Sequence, residues 1–196
     1  MKDFTITFDN PFYMRTILVL VIACLCHVFT QAQTTLTFDG VDDYIAVDTT
    51  PLGASNTQDI SYTFEAWVYP DDVATRQVII GNHNYSGNAG TSLDIVGGQA
   101  RFFKQEGADL VTGPITASEW HHLAGTYNNT SNEMNFYING VLMGTSISTQ
   151  ADGGGVHNIG THSGDAAVAL SDFFNGKMDE VRIWSVARTQ TEIRES

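Results

Sequence analysis

Asp39, Asp42 and Asp43 fall within five residues around Gly40. Carboxylates crowded on a turn are the donors a calcium ion takes, because this hard cation fills its shell with carboxylate and carbonyl oxygens. Glu65 and Arg182 are each embedded among bulky apolar residues, where an unpaired charge is costly. They are therefore expected to pair, carboxylate to guanidinium, in fork geometry. His121 and His122 are adjacent; neighbours on a strand point to opposite faces and cannot share one metal ion, so a packed or hydrogen-bonded role is expected instead. His83, His157 and His162 lie in or beside loop-like stretches, and nothing in the sequence groups them.

Catalytic signatures are sparse. Retaining glycosidases need two carboxylates about 5 Å apart, usually supplied at fixed spacing on one strand face, whereas Leu93-Asp94-Ile95-Val96 carries one carboxylate alone and no strand carries Glu-x-Asp-x-x-Glu or a similar paired set. No G-x-S-x-G nucleophile elbow occurs. The run Asp152-Gly153-Gly154-Gly155 is not followed by a helix pattern, which a phosphate cradle requires. Binding chemistry is easier to place. The polar stretches Asn82 to Gly90, Asn128 to Asn132 and Asp152 to Ser163 offer Asn, His, Tyr and Asp side chains suited to sugar hydroxyls, with Tyr85 as a stacking platform beside Asn84, and with His162 in the third stretch.

The elements that must position these residues read as strands. Ile60, Tyr62, Phe64, Ala66 and Val68 alternate with Ser61, Thr63, Glu65, Trp67 and Tyr69, a period of two that predicts a central strand ended by Pro70. Trp120 to Gly144 predicts a β-meander: apolar runs at Trp120 to Tyr127 and Met134 to Ile138, a polar turn over Asn128 to Asn132, and a tight Asn139-Gly140 turn. Its Trp120, Leu123, Phe136 and Ile138 are expected in the core. Further strands are predicted at Thr35 to Phe38, Tyr44 to Val47, Gln77 to Ile80, Ser92 to Val96, Ala100 to Lys104, Val156 to Gly160 and Lys177 to Trp184, with a loop over Asp48 to Asp59 and a turn at Gly97-Gly98. Strict alternation in the last strand puts Asp179, Val181 and Ile183 on one face and Met178, Glu180, Arg182 and Trp184 on the other. Thr189 and Glu192 have capping-box spacing and predict a short terminal helical turn. About ten strands and no crossover helix predict an all-β fold, a two-sheet antiparallel jelly-roll sandwich.

Thr16 to Phe29 is an apolar run followed by Thr30-Gln31-Ala32, which predicts a signal peptide over residues 1–32 and a single domain over 33–196. Asp3 and Asp9 stand where a basic region is expected, so Met14 is an alternative start. The run is shorter than the roughly 20 residues of a spanning helix, so no stable membrane insertion is expected after cleavage. Both cysteines, Cys24 and Cys26, lie in this segment. The box Val21-Ile22-Ala23-Cys24 loosely resembles a lipoprotein site, but apolar residues continue past Cys24. The net charge of −13 repels phosphate backbones, which excludes nucleic acid as a partner and favours divalent cations.

Phe64-Glu65-Ala66-Trp67-Val68, Trp120-His121-His122-Leu123-Ala124, Phe136-Tyr137-Ile138-Asn139-Gly140 and Asp179-Glu180-Val181-Arg182-Ile183-Trp184 resemble successive motifs of the laminin-G-like, concanavalin A-like jelly-roll family. The resemblance spans Leu36 to Ile193. It implies a secreted or cell-surface module that binds a glycan or an extracellular protein, as in cell adhesion, often with a calcium ion. Carried over, it implies that the N-terminal Asp-Gly turn and the final strand's Asp approach each other, giving Asp39 and Asp179 as ligands with Asp42 or Asp43 completing the shell. A tail normally follows the last helical turn in such proteins, so the stop at Ser196 points to a fragment or an isolated module. The expected function is a non-catalytic binding module stiffened by calcium; the alternatives are a glycoside hydrolase or polysaccharide lyase, and a structural spacer of a larger surface protein.

Overall fold

The structure, a computed structural model, describes residues 35–47, 60–82, 89–105, 109–150, 157–162 and 170–196. The leader reading over 1–32 and the loop over Asp48 to Asp59 fall outside the described residues, as does half of Asp152 to Ser163. In chain order the strands are β1 (Leu36–Asp39), β2 (Ile45–Ala46), β3 (Tyr62–Pro70), β4 (Gln77–Gly81), β5 (Ala89–Val96) and β6 (Gln99–Gln105). They continue with β7 (Asp109–Pro114), β8 (His121–Asn128), β9 (Glu133–Ile138), β10 (Val141–Ile147), β11 (Asn158–Ile159) and β12 (Asn175–Trp184), and a short helix α1 (Gln190–Arg194) follows.

These strands form two antiparallel sheets, ordered β1-β12-β3-β8-β9-β10 and β2-β11-β4-β5-β6-β7. The first edge strand of each sheet is joined to the other by residues 40–44, so this turn crosses the sandwich. At the far edge β10 lies against β7. The two-residue turns form where expected: Gly97 and Gly98 between β5 and β6, and Asn139 and Gly140 between β9 and β10, all with positive φ, as primed hairpin turns require.

Period two explains the centre. On β3, Tyr62, Phe64, Ala66 and Val68 face the interior and are fully buried. They pack with Leu123, Phe136 and Met178 of the same sheet and with Ile80, Leu93, Ile95 and Phe102 of the other. Phe64 and Phe102 meet edge to face, with ring centroids 6.3 Å apart. Phe102 lies directly over Gly125 of β8, where a Cβ would come within 2.2 Å of the ring. A glycine is thus needed for the sheets to approach at this point.

Three features depart from the sequence pattern. Strand β7 has no counterpart among the predicted strands, and β10, the strand after the Asn139-Gly140 turn, runs past the predicted meander's end at Gly144 to Ile147. Both are edge strands, where Pro and glycine are tolerated. In β12 the register shifts between Asp179 and Arg182, and Glu180 there has φ +49. This bulge moves one residue out of the alternation. Met178 therefore shares the interior face with Val181 and Ile183, while Asp179 and Arg182 pair across to Trp67 and Glu65 on the outer face. Strict alternation had assigned Met178 and Asp179 to the wrong faces.

The segment after β12 folds back over that outer face. Thr63 Oγ1 donates to the Val186 carbonyl and accepts from the Arg188 amide. Arg188 Nη1 donates to both oxygens of the fully buried Glu65, at 2.8 and 2.7 Å, and Trp184 Nε1 donates to Oε1 at 2.9 Å. Arg182 also reaches Oε1, but at 3.4 Å, and it is shared with Glu180. Arg188 stacks on the Trp184 ring at 4.6 Å and donates through Nη2 to the Glu192 carbonyl. A five-residue helix is unstable alone. Here α1 is held by the Thr189–Glu192 capping box, by Ile193 against Ala124 and Tyr137, and by Gln190 and Arg194 donating to the Gly140 carbonyl.

Two outcomes follow for stability. Removing the chief partner of a buried carboxylate leaves its charge uncompensated, so Arg188→Ala is expected to cost about 3 kcal/mol. Arg182, at longer range and a third exposed, is expected to cost about 1 kcal/mol. Urea denaturation of the two variants compares them, and equal losses would refute the assignment. His157 is buried against Phe64, and both its ring nitrogens lack hydrogen-bond partners among the described residues. Burial lowers its pKa from 6.5 to about 4. Between those values the unfolded chain binds a proton that the folded chain refuses. His157 therefore imposes no penalty above pH 6.5, and as pH falls toward 4 stability declines by about 3 kcal/mol. The pH profile of His157→Leu should be flatter by that amount; a profile parallel to the parent chain's would contradict this.

Candidate functional site

The acidic turn is built at the end of β1. Gly40 has φ +76, and a Cβ there would lie 2.8 Å from Asn175 Cβ, so the position requires glycine on both counts. Asp39 Oδ1 accepts from the amides of Val41 and Asp42, at 2.8 and 3.4 Å, and Asp43 Oδ2 accepts from the Asp39 amide at 3.0 Å. These local bonds fold the turn so that one carboxylate oxygen from each of Asp39, Asp42 and Asp43 lies within 4.8 Å of the others. All three residues are exposed. The donor set is all oxygen, as a hard divalent cation prefers, and carbonyls or waters would have to complete a calcium shell.

Asp179 is not part of this group. The pairing Asp39 to Asn175 and Leu36 to Met178 runs β12 away from the turn, which leaves Asp179 four residues along the strand from Asn175, about 13 Å by strand rise. Its Oδ1 accepts from the Glu180 amide and closes the bulge. The physical reason is antiparallel register: one end of β12 can lie beside the acidic turn, and that end is Asn175.

Of the expected sugar-contacting residues, Tyr85 and Asn84 lie outside the described residues, as does His83. His162 is in the interior, with Nε2 2.8 Å from Ser171 Oγ and its carbonyl accepting from Asn158 Nδ2. This places it among packed residues rather than on a loop surface, because residues 157–162 feed β11 between β2 and β4. In the turn over Asn128 to Asn132 the amide side chains hold the turn itself: Asn128 Oδ1 accepts from Thr130 and Ser131, and Asn132 Oδ1 accepts from Tyr127. His121 and His122 are both buried, on opposite faces of β8. His121 Nε2 lies within hydrogen-bond range of Thr116.

Two carboxylates are fully buried on outward-facing strand positions, one in each sheet. Glu65 is gripped as described above. Asp94 receives Arg101 in a fork, Nε at 2.7 Å and Nη2 at 2.5 Å, and Arg76 Nε at 3.1 Å. Both guanidinium groups lie over the Phe103 ring. Sequence spacing registered Asp94 as a solitary carboxylate and left Arg188 unnoticed. Neither partnership has a local pattern, since their partners arrive from other strands or from beyond β12.

A cleft of about 390 Å³ opens where α1 meets the first sheet, lined by Trp67, Trp120, His122, Asn139, Gly140, Ile193, Arg194 and Ser196. Trp67 and His122 are register partners with ring centroids 5.3 Å apart. Trp120 precedes β8, is 40% exposed and packs against Tyr69 at 5.6 Å. It is not the core residue its position in an apolar run suggested, whereas Leu123, Phe136 and Ile138 are. His122 is 3% exposed, and its Nε2 has no hydrogen-bond partner among the described residues. Burial lowers its pKa; Glu65 opposes this, and Arg182 and Arg188 reinforce it.

The fold is similar to several solved structures. One is the native heptameric SAP-like pentraxin from Limulus polyphemus, at 15% identity over 82% of this chain and 79% of that chain, with a TM-score of 0.62. Another is the CBM40 of the Ruminococcus gnavus IT-sialidase bound to α2,3-sialyllactose, at 13% identity over 83% and 97%, with a TM-score of 0.63. A third is domain 4 of AbnA, a GH43 extracellular arabinanase from Geobacillus stearothermophilus, in complex with arabinotriose, at 20% identity over 83% and 86%, with a TM-score of 0.57. At these identities the likeness is one of fold. Comparison with curated proteins gives no match. The strand motifs carry more, since residues 39–194 match the Laminin_G_3 family model, and the chain belongs to the concanavalin A-like lectin/glucanases superfamily.

Proposed function

We propose that this chain is a secreted or cell-surface, non-catalytic module that binds glycans and carries a structural calcium ion on its acidic turn. The observation that carries the non-catalytic reading is the state of the two buried carboxylates. Glu65 and Asp94 face outward from different sheets, so the sandwich thickness separates them, and each is clasped by two arginines. A carboxylate held in that way orders structure. It is not placed to act with a second one across a glycosidic bond, which needs the pair about 5 to 10 Å apart. The glycan reading draws support from the CBM40 and the arabinanase domain, two proteins of this fold with bound oligosaccharides. Among the described residues no helix is long and apolar enough to cross a membrane.

Calcium is supported by the three clustered carboxylates and by their place in the chain. The turn carrying them passes from the edge of one sheet to the edge of the other. An ion bound there would fix that crossing and contribute to folding.

Two measurements test these readings. On an immobilised array of microbial, plant and animal oligosaccharides, the protein is expected to retain at least one glycan class with no release of reducing ends or unsaturated products. Absence of any retained glycan would remove the binding reading, and product release would replace it with an enzymatic one. For calcium, chelation is expected to lower the melting temperature by several degrees. Asp42→Asn is expected to abolish that sensitivity, since the Asp42 side chain accepts no hydrogen bond among the described residues and its loss leaves the turn's own bonds in place. A melting temperature indifferent to chelator would rule the ion out.

A further inference from the structure

We propose that the cleft between the Trp67–His122 pair and α1 is this module's saccharide subsite. The proposal rests on the glycan-binding reading and assigns it a place. The cleft's volume of about 390 Å³ is within the usual range for small-molecule sites. Its lining has the two kinds of surface that a pyranose presents in complement. The indole of Trp120, exposed and braced by Tyr69, offers a flat apolar face to the ring's C–H side, and polar groups surround it.

The most telling of these groups is His122. A buried ring nitrogen with no partner costs about 1 to 3 kcal/mol; His122 lines the cleft with its Nε2 closed to solvent, so a hydroxyl that reaches it on a turn of the ring would relieve that cost. Burial favours the neutral imidazole, in which Nε2 is either a donor or an acceptor according to tautomer. A hydroxyl complements both, because it donates and accepts. Arg194 adds donors: its Nε is held by the Gly140 carbonyl, and its Nη1 and Nη2 make no hydrogen bond among the described residues. The cleft wall is also preformed. Asn139 Oδ1 accepts from the His122 amide at 2.8 Å, and the Asn139 amide donates to the His122 carbonyl at 2.7 Å, which locks the β9–β10 turn to β8. Pre-organisation of this kind lowers the entropy lost on binding.

The subsite is separate from the acidic turn. Strands β12 and β3 lie between β1 and β8, so three strand spacings, about 14 Å, part them. Saccharide binding at the cleft should therefore persist in chelator at temperatures where the protein stays folded.

The test uses the same immobilised oligosaccharide array, with the protein, Trp120→Ala, Trp120→Tyr and His122→Phe, each checked for an unchanged melting temperature. Trp120 is exposed, so its truncation leaves the core intact even if His122→Phe fails to fold. Binding of the retained glycans should fall at least tenfold in Trp120→Ala and His122→Phe, remain within about threefold in Trp120→Tyr, and be unaffected by chelator. If the parent chain retains glycans and Trp120→Ala retains them equally, the subsite lies elsewhere and the glycan reading stands. If the parent chain retains none, both fall together.

Discussion

The buried carboxylate of Glu65 is the constraint on which much of this molecule depends. It sits at the middle of β3, the strand with the longest period-two pattern, and faces away from the hydrophobic interior. Left alone, it would oppose burial of that face. Instead it collects Arg188, Trp184 and Arg182, and two of these lie at or beyond the end of β12. One carboxylate therefore recruits the C-terminal segment onto the first sheet. Once Arg188 is fixed, Thr189 is placed to cap α1, Ile193 reaches Ala124 and Tyr137, and Arg194 reaches the β9–β10 turn. The wall of the cleft is a consequence of an ion pair several residues away.

The second sheet repeats the solution with different parts. Asp94 on β5 is clasped by Arg101 from its neighbour β6 and by Arg76 from the loop entering β4, over Phe103. In a chain with net charge −13 and nine basic residues, committing four arginines to two buried carboxylates is a strong allocation of scarce positive charge. Its effect is to let both sheets bury polar outer-face positions without raising the local negative potential.

Most strands were legible because burial of one face imposes period two, and β3, β8 and β9 follow it closely. Turn chemistry was equally legible at Gly97-Gly98 and Asn139-Gly140, where positive φ restricts the residue types. Legibility ended where geometry is not local. The bulge at Glu180 obeys no composition rule, yet it exchanges the faces of Met178 and Asp179 relative to the rest of β12, and the register of β12 against β1, equally invisible in composition, carries Asp179 away from the expected ion site. Trp120 belongs to an apolar run but precedes its strand, so no pleat turns it inward. The pairing of Glu65 with Arg182 was inferable from two charges in apolar strands, but the closer partner, Arg188, follows the strand in an ordinary polar stretch. His162, at the edge of a loop-like stretch, is interior because β11, within the strand predicted at Val156 to Gly160, inserts between β2 and β4.

The two candidate sites differ in what the fold demands of them. The acidic turn is made by consecutive residues with their own hydrogen bonds, so its shape is set largely by Gly40 and needs little from the rest of the chain. It is visible in the sequence for the same reason. The cleft is assembled from β3, the residue before β8, the β9–β10 turn and α1, elements spread over most of the domain, and no spacing rule could announce it. Its rigidity is unequal: Trp67 and His122 are fixed by strand register, whereas Arg194 and Ser196 depend on a five-residue helix whose position derives from Arg188. A change that loosens Arg188 from Glu65 would therefore open one wall of the cleft before it disturbed the other, and the shape of the cleft is coupled to the stability of the C-terminal segment.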